Sequence, residues 1–407
     1  MRRVVVTGMG IVSSLGHSIS SAYERLKTLE NCVEASLELS EYKGLQTCLW
    51  APSKFVRPSE YTRKVVRTMS PVSMMALFAT EEALRQAGLY DDPVVKGGRL
   101  GVAYGSCSGG VDANADFYSV LMDREIKNVT SATYIKMMSQ TCAVNLSVHF
   151  GTTGRLLPTG TACTSGSLAI GEAYEAIAWG RQDMMIAGGA EEFSATQVAV
   201  FDTLFATSRR NDRADTTPRA FDKNRDGLVV GDGAATLILE EREHALQRGA
   251  TIIAEIAGFG TNTDGRHVTQ PSAVTQARAI MLALEDAELS PSDIGYVNAH
   301  GTATELGDIT ECEALKSVFG ETSVPISTIK NYTGHTLGAC GAIEAAMTIE
   351  MLRNGWYAPN LNLDEVDPRI EGLDFIRGSG RVIDTEFAMS NNFAFGGVNT
   401  SLILRRA

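Results

Sequence analysis

The sequence predicts an α/β fold built from two similar halves, and three observations support this prediction. Short runs rich in valine, isoleucine and alanine alternate with longer helical patterns, which is typical of mostly parallel sheets covered by helices. The chain has 407 residues, more than one ordinary hydrophobic core accommodates. A shift of 172 residues lays residues 163–166 over residues 335–338 and Glu172 over Glu344. We therefore expect an N-terminal half at residues 1–250 and a C-terminal half at residues 251–407.

The individual elements follow from the local patterns. Apolar runs bounded by turn residues predict strands at residues 3–7, 100–103, 184–188, 234–240, 252–260, 296–299 and 402–404. Helical spacing of apolar and small residues predicts helices at residues 74–87, 165–178, 273–287, 309–319 and 342–352. If the internal repeat is genuine, Cys163 and His335 lie at equivalent helix starts and face one centre.

Composition excludes several classes of function. The formal net charge is −12, and an acidic chain of this kind lacks the basic surface that nucleic acids require. There is no run of eighteen apolar residues, which excludes a membrane-spanning helix, and no signal-peptide pattern, so we expect a cytoplasmic protein. The seven cysteines form no CxxC pair and are interpreted as reduced thiols, any one of which is a possible nucleophile.

Cys163 is the first candidate for chemistry. It lies in the sequence GTACTSGS, at the start of a helix rich in alanine and glycine. The positive end of the helix dipole favours a thiolate, so the position predicts a lowered thiol pKa. The alternative interpretation is a buried structural cysteine, the usual fate of this residue type.

The second candidate segment is NAHGTAT, which follows a predicted strand. His300 lies just beyond that strand, where ligands bind at the carboxyl edge of an α/β sheet. Thr302 and Thr304 offer hydroxyls either to a ligand rich in amides or to the next helix as caps. A histidine whose hydrogen bonds are all made within the loop is the alternative.

Two further segments are rich in glycine. In KNYTGHTLGACG, Lys330 precedes His335 by five residues, a spacing that brings a cation and an imidazole into one pocket rather than onto one helix face. The alternative is a surface lysine with a capping histidine. In FAFGGVN, Phe395 beside two glycines indicates a mobile gate, or else a turn filled by core aromatics. Phosphate-loop, HExxH and dinucleotide-binding motifs are absent from the sequence.

The order CTSG, AHGTAT, KNYTGHTLGACG, FAFGGVN resembles that of the elongating β-ketoacyl-acyl carrier protein synthases of the thiolase superfamily, and the resemblance covers the whole chain. It implies a thiolase-like five-layer αβαβα fold and a dimer. It also implies that Cys163 is the nucleophile, that His300 and His335 are the paired catalytic histidines and that Lys330 supports them. Thr302 and Thr304 would contact the phosphopantetheine arm. Phe395 would be the gate, and its amide would form an oxyanion hole with that of Cys163.

The reaction implied by the resemblance is decarboxylative condensation. An acyl chain passes from an acyl carrier protein to Cys163 and is then joined to malonyl-carrier protein, which gives a 3-oxoacyl product for fatty acid or related biosynthesis. No metal and no cofactor are required, since the carrier protein brings the phosphopantetheine. The implied docking site for the acidic carrier consists of basic residues: Arg63, Lys64, Arg67, Arg124 and Lys127.

A second interpretation keeps the chemistry and changes the pathway. The sequence has GTATE and FAFGGVN where GTSTP and FGFGGTN are usual in the family, and Phe205 stands where a smaller residue is common. These departures suggest the ketosynthase subunit of an aryl-polyene or type II polyketide system, which would act as a heterodimer with a chain-length-factor partner. Acyl chain length, and homodimer versus heterodimer, stay open at this point.

Overall fold

The computed structural model of the protein describes residues 1–320 and 322–407. Its strands are β1 (Val4–Val12), β2 (Glu34–Ala35), β3 (Leu49–Ala51), β4 (Leu100–Gly105), β5 (Leu156–Thr159), β6 (Met184–Glu191), β7 (Val230–Gly231), β8 (Gly233–Glu241), β9 (Ala254–Thr263), β10 (Ile294–Asn298), β11 (Pro325–Ser327), β12 (Trp356–Tyr357), β13 (Asp374–Phe375), β14 (Arg381–Val382), β15 (Phe387–Phe393) and β16 (Val398–Arg406). Its helices are α1 (Ile19–Leu26), α2 (Leu37–Ser40), α3 (Pro71–Gln86), α4 (Val111–Asp123), α5 (Ser131–Met137), α6 (Thr141–Phe150), α7 (Ser165–Ala178), α8 (Ala195–Thr203), α9 (Arg242–Gln247), α10 (Ala273–Ala287), α11 (Glu305–Phe319), α12 (Lys330–Thr333) and α13 (Cys340–Asn354).

The main sheet repeats one strand order in both halves of the chain. The N-terminal strands lie in the order β1-β8-β6-β4-β5, and the C-terminal strands lie in the order β9-β16-β15-β10-β11, with β13 at the far edge. In each half the first strand along the chain, β1 or β9, is antiparallel to the last, β8 or β16. The other three strands of each half, β6-β4-β5 or β15-β10-β11, are parallel to one another. The halves meet where β1 pairs with β9. The α/β fold of two similar halves is therefore confirmed.

The prediction of mostly parallel sheets is wrong. Parallel and antiparallel pairings are equally common in the main sheet, because β8 and β16 are each antiparallel to both neighbours and β1 is antiparallel to β9. Apolar runs predict burial on both faces, but they carry no information about strand direction. Each predicted strand and helix overlaps an observed element, and the helices predicted at residues 165–178 and 273–287 match α7 and α10 residue for residue.

Helices α7 and α13 pack against each other inside the molecule. A Cβ atom on Gly166 would lie 2.9 Å from the amide nitrogen of Ala342, and one on Gly341 would lie 2.7 Å from Cβ of Ser167. The two helices begin 175 residues apart, so the shift of 172 residues seen in the sequence is three residues short. Cys163 is thus equivalent in position to Gly338, not to His335.

None of the helices in residues 1–320 and 322–407 has both the length and the hydrophobicity that crossing a membrane requires.

Candidate active site

The turn between β5 and α7 carries Cys163 and buries it. The 3-10 segment Ala162–Thr164 precedes the helix, and the Cys163 side chain is 4% exposed. Burial raises the pKa of the Cys163 thiol to about 11, although the charge of Lys330 and the peptide N–H groups of Phe395 and Cys163 itself act to lower it. The predicted lowering of this thiol pKa is therefore wrong, because desolvation outweighs the groups that favour the thiolate.

His335 lies beside the thiol, just after α12. Its Nε2 atom is 3.0 Å from Cys163 Sγ. The peptide N–H of Leu337 donates to His335 Nδ1 over 3.2 Å, so the proton of the neutral ring resides on Nε2 and faces the sulfur. Burial, with the Lys330 charge, holds the pKa of His335 well below its usual value, which keeps this imidazole neutral.

His300 approaches the same centre from the end of β10. One ring nitrogen of His300, one of His335 and Cys163 Sγ all lie within 4.8 Å of one another. The peptide N–H groups of His300 and Gly301 donate to the buried carboxylate of Glu311 on α11, over 2.7 and 2.8 Å, and fix the loop. Burial and the Lys330 charge lower the pKa of His300 well below its usual value.

Lys330 supports His300 from a buried ion pair. Its Nζ donates to His300 Nδ1 over 3.2 Å, which places the ring proton on Nε2, and it also pairs with Glu344 on α13. The amide of Asn392 on β15 donates to the other Glu344 oxygen over 2.7 Å. Burial alone would lower the pKa of Lys330, but Glu344, together with Cys340 and Glu311, outweighs it, so this pKa is raised and the amine stays charged.

The centre opens into a cavity of about 460 Å³. Thr302 and Thr304 line it, half-buried, with their Oγ1 atoms 2.8 Å apart. Phe395 lines it as well, 36% exposed, with its ring centroid 5.4 Å from that of Phe201. The structure thus brings Cys163 and His335 together with the four other cavity-lining residues predicted from the sequence: His300, Thr302, Thr304 and Phe395.

Two loops meet at the mouth of this cavity. The loop after β15 carries Phe395, and the N–H of Gly396 donates to the carbonyl of Val268 in the loop after β9 over 2.8 Å. The amide of Asn399 donates to Asp264 over 2.7 Å and ties the same two segments together. Residues 390–392, which precede this glycine loop, lie in β15, and their polar side chains are buried.

The five predicted docking residues are all exposed and lie in two other segments of the chain. Arg63, Lys64 and Arg67 precede α3, and no carboxylate of the described residues forms an ion pair with them. Arg124 and Lys127 follow α4, and Lys127 pairs with Glu125 over 2.7 Å. Basic side chains thus present local positive charge on a protein whose overall charge is negative.

The sequence-based interpretation assigned no role to several buried residues around the centre. Glu311 holds the His300 loop, and Glu344 with Asn392 holds Lys330. Asp308 accepts the N–H of Ala303 over 3.1 Å, and burial raises its pKa to about 6. The signal that identifies Glu344 is its position in the run GAIEAAM, since a carboxylate among small residues on a buried helix needs a partner.

A thiol and two neutral imidazoles at the base of one cavity, on a duplicated α/β fold, define an acyl-transferring enzyme of the thiolase-like class. Residues 1–245 match the family description "Beta-ketoacyl synthase, N-terminal domain", and residues 253–364 match "Beta-ketoacyl synthase, C-terminal domain". The chain belongs to the β-ketoacyl synthase family and is a ketosynthase acyltransferase.

Similar proteins extend over the whole chain. The 3-oxoacyl-acyl-carrier-protein synthase 1 of Escherichia coli K12 is 36% identical over 410 residues, covering 100% of this chain and 99% of the other. A crystal structure of a β-ketoacyl synthase from Burkholderia phymatum STM815 is 55% identical with a TM-score of 0.98, and both chains are covered completely. A ketosynthase solved with its chain length factor from Xenorhabdus doucetiae is 25% identical, with a TM-score of 0.84 and coverage of 100% and 98%.

Proposed function

We propose that the protein elongates acyl chains carried by an acyl carrier protein, with Cys163 as the nucleophile. The observation that carries this proposal is the 3.0 Å contact between Cys163 Sγ and His335 Nε2, in a site where both histidines accept a hydrogen bond at Nδ1. Both rings therefore hold their proton on Nε2, so each is a donor toward charge that develops at the centre.

The first step transfers the acyl group. The Cys163 sulfur attacks the carbonyl carbon of the carrier thioester, a bond forms between sulfur and carbon, and the carrier thiolate leaves. The thiol proton of Cys163 ends on the departing carrier thiol, so the step is balanced. Because burial keeps the thiol protonated at rest, the His335 N–H and the amides of Cys163 and Phe395 would stabilise negative charge only as it develops.

The second step forms the carbon–carbon bond. Malonyl-carrier protein loses its carboxylate as CO₂, and the electron pair becomes an enolate whose oxygen accepts hydrogen bonds from His300 and His335. The enolate carbon then attacks the acyl-Cys163 carbonyl and expels the Cys163 thiolate, which takes up one proton from solvent. Lys330 acts as a positioning residue, since it contacts His300 rather than the reacting atoms.

We propose that this chemistry uses no metal and no cofactor held by the protein. Cys163, His300 and His335 are close enough together for a metal ion, as are His300, Cys340 and Glu344. The Lys330 ammonium, however, lies against His300 and Glu344 and repels a cation from both sets. Two neutral N–H donors suit an enolate oxygen better than they suit a metal.

Carrier protein binding is proposed in two parts. Arg63, Lys64, Arg67, Arg124 and Lys127 would attract the acidic carrier, which the net charge of −12 otherwise repels. Thr302 and Thr304 would hydrogen-bond to the amides of the phosphopantetheine arm inside the cavity. Only the arm and the acyl or malonyl group that it carries then need to enter.

A dimer in the cytoplasm is also proposed. Strand β5 ends the main sheet and leaves one edge open within the described residues, with Leu156 on it 39% exposed. An open strand edge with an apolar side chain favours pairing with a second chain. Light scattering after size-exclusion chromatography measures the mass, and a monomer at micromolar concentration would contradict the proposal.

The test of the proposed function is the mass of the intact protein after incubation with acyl-carrier proteins. The panel comprises saturated, cis-unsaturated and aryl-primed polyenoyl chains, and malonyl-carrier protein follows as a chase. We expect a saturated acyl adduct on Cys163 that the chase removes as a 3-oxoacyl product. No adduct with any chain would refute the function, and a serine at position 163 is the matched control.

A second candidate is a subunit that acts with a chain-length factor in polyene or polyketide synthesis. It is favoured by similarity to solved ketosynthases of such systems, including a type II polyketide ketosynthase that is 30% identical with a TM-score of 0.88 over 100% of this chain and 99% of the other. Turnover of conjugated primers only, or only with an added partner chain, would support it over the first candidate.

A further inference from the structure

Phe205 occupies a backbone position that normally belongs to glycine. Helix α8 ends in a Schellman turn, in which the N–H of Phe205 donates to the carbonyl of Asp202 and the N–H of Ala206 donates to the carbonyl of Phe201, both over 3.0 Å. Phe205 has the left-handed φ of +55° that this turn imposes. A side chain with a β-carbon is strained there, which is why glycine or asparagine usually occupies the position.

The Phe205 ring gives the fold no core contact in return. It is 79% exposed and lies outside the hydrophobic clusters of the described residues. The Arg209 guanidinium lies over the ring, 5.4 Å from the ring centroid. Local rules are broken in this way at functional sites, where strain is tolerated because a side chain is needed for binding.

The position of the ring indicates what it binds. Phe205 lines the cavity that contains Cys163, together with Thr302 and Thr304. Cys163 is buried, and a folded carrier domain is far too large for a cavity of about 460 Å³, so only an extended arm can reach the thiol. The lining combines threonine hydroxyls, which suit amides, with exposed apolar side chains, which suit apolar carbons: Leu204, Phe205, Val268 and Leu306.

We propose that Phe205 is a binding residue for the thioester arm of the substrate. Its ring packs against the geminal methyl groups of the pantoyl portion of pantetheine at the cavity mouth, while the thioester end of the arm reaches Cys163. This inference rests on the proposed function, since it requires a substrate carried on such an arm. Strain at Phe205 is the cost of presenting the ring to that arm.

The test compares two thioesters of the same acyl group. Acyl-pantetheine has the pantoyl portion, and acyl-N-acetylcysteamine lacks it. Acylation of Cys163 is measured for the wild-type enzyme and for Phe205→Ala and Phe205→Gly. We expect the ratio of KM for acyl-pantetheine to KM for the short thioester to rise about three- to tenfold in both variants, as fits loss of an aromatic contact.

Glu288 provides a matched control. It ends α10 in the same turn with φ +56°, in which the N–H of Glu288 donates to the carbonyl of Glu285 and the N–H of Leu289 donates to the carbonyl of Leu284. Glu288 does not line the cavity. Glu288→Gly and Phe205→Gly both relieve left-handed strain, so each is expected to raise the melting temperature by about 2 °C. Only the Phe205 variant should change the KM ratio.

Each other outcome overturns the inference. An unchanged KM ratio in an active enzyme would remove the arm contact, as would equal increases for both thioesters. An effect confined to acyl-carrier protein would assign Phe205 to the carrier surface instead. A lower melting temperature for Phe205→Gly would show that the ring stabilises the fold. If the wild-type enzyme accepts no thioester and no acyl-carrier protein, the proposed function itself fails.

Discussion

Helices α7 and α13 occupy equivalent positions in the two halves but differ in the charge of the side chains that they bury. Both begin after a 3-10 turn, both are buried, and their first turns touch through Gly166 and Gly341. α7 carries only neutral side chains into this contact, and Ala169 occupies the position that corresponds to Glu344 of α13. α13 therefore contributes a buried charge that α7 lacks.

This difference separates two requirements of the reaction. The thiol of Cys163, the proposed nucleophile, stays protonated at rest because it is buried. Two histidines that must each keep one proton on Nε2 need fixed partners at Nδ1, and the Lys330–Glu344 pair supplies the partner for His300. Duplication of the fold gave two equivalent helix starts, and only one of them acquired charge.

The largest effect is expected at the nucleophile of the N-terminal half. Cys163→Gln removes the sulfur but leaves the histidines, so condensation should fall by about 10³-fold or more. Release of CO₂ from malonyl-carrier protein should persist, because His300 and His335, the proposed donors to the enolate oxygen, are unchanged. Both products are quantified in one assay, and condensation at the wild-type rate would refute the nucleophile assignment.

The next largest effect is expected at the charge of the C-terminal half. Lys330→Met leaves the Glu344 carboxylate buried without its cation, which should lower the free energy of unfolding by about 3–5 kcal/mol. Urea unfolding at neutral pH measures this loss. The control is the double variant Lys330→Met with Glu344→Gln, which should recover much of the stability, and equal stability of the single and double variants would contradict an energetic role for the ion pair.

The pH dependence of thiol reactivity sharpens the comparison further. With a thiol pKa of about 11, Cys163 is protonated at neutral pH, and the thiolate fraction grows tenfold with each pH unit below that value. Alkylation of Cys163 by iodoacetamide should therefore accelerate about 100-fold between pH 7 and pH 9. Mass spectrometry of the Cys163 peptide separates it from the other six cysteines, and a plateau near pH 7 would indicate a stable thiolate instead.

The smallest effect is expected for a neutral contact of α7. The Ser167 hydroxyl lies 2.7 Å from that of Thr400 and also donates to the carbonyl of Thr164 over 3.1 Å. Ser167→Ala should lower the free energy of unfolding by only about 1 kcal/mol, because no charge is left unpaired. A loss as large as that of Lys330→Met would remove the distinction between the two helices.

The sequence predicted which residues meet at the centre better than it predicted their state. Cys163 and His300 each follow a strand, and Lys330 begins the short helix that precedes His335. In this fold such ends converge, so position along the chain is informative. The direction of the Cys163 pKa shift was not predictable from the helix dipole. It depends on how completely the folded chain buries the Cys163 thiol, which the local sequence does not reveal.

Other features depend on contacts between residues far apart in the chain. Glu344 pairs with Lys330, fourteen residues away in the chain, and the Asn392 side chain on β15 donates to Glu344. Strand β15 is hard to recognise from the sequence because several of its buried residues are polar. The three-residue error in the repeat has the same origin, because sequence similarity near His335 reflects local turns whereas helix packing fixes the true equivalence. The antiparallel course of β8 and β16 is likewise invisible to apolar patterns.

Helices α7 and α13 cross closely at Gly166 and Gly341, so their packing sets the distance between the Cys163 thiol and the His335 imidazole. A side chain at either glycine would push the two helices apart and carry Cys163 away from His335. The contact between the two helices thus fixes this distance, and a single substitution at either glycine would disrupt the site rather than adjust its activity. Substitutions that change substrate choice are therefore better tolerated at the cavity entrance, where side chains face solvent, than at the contact between α7 and α13.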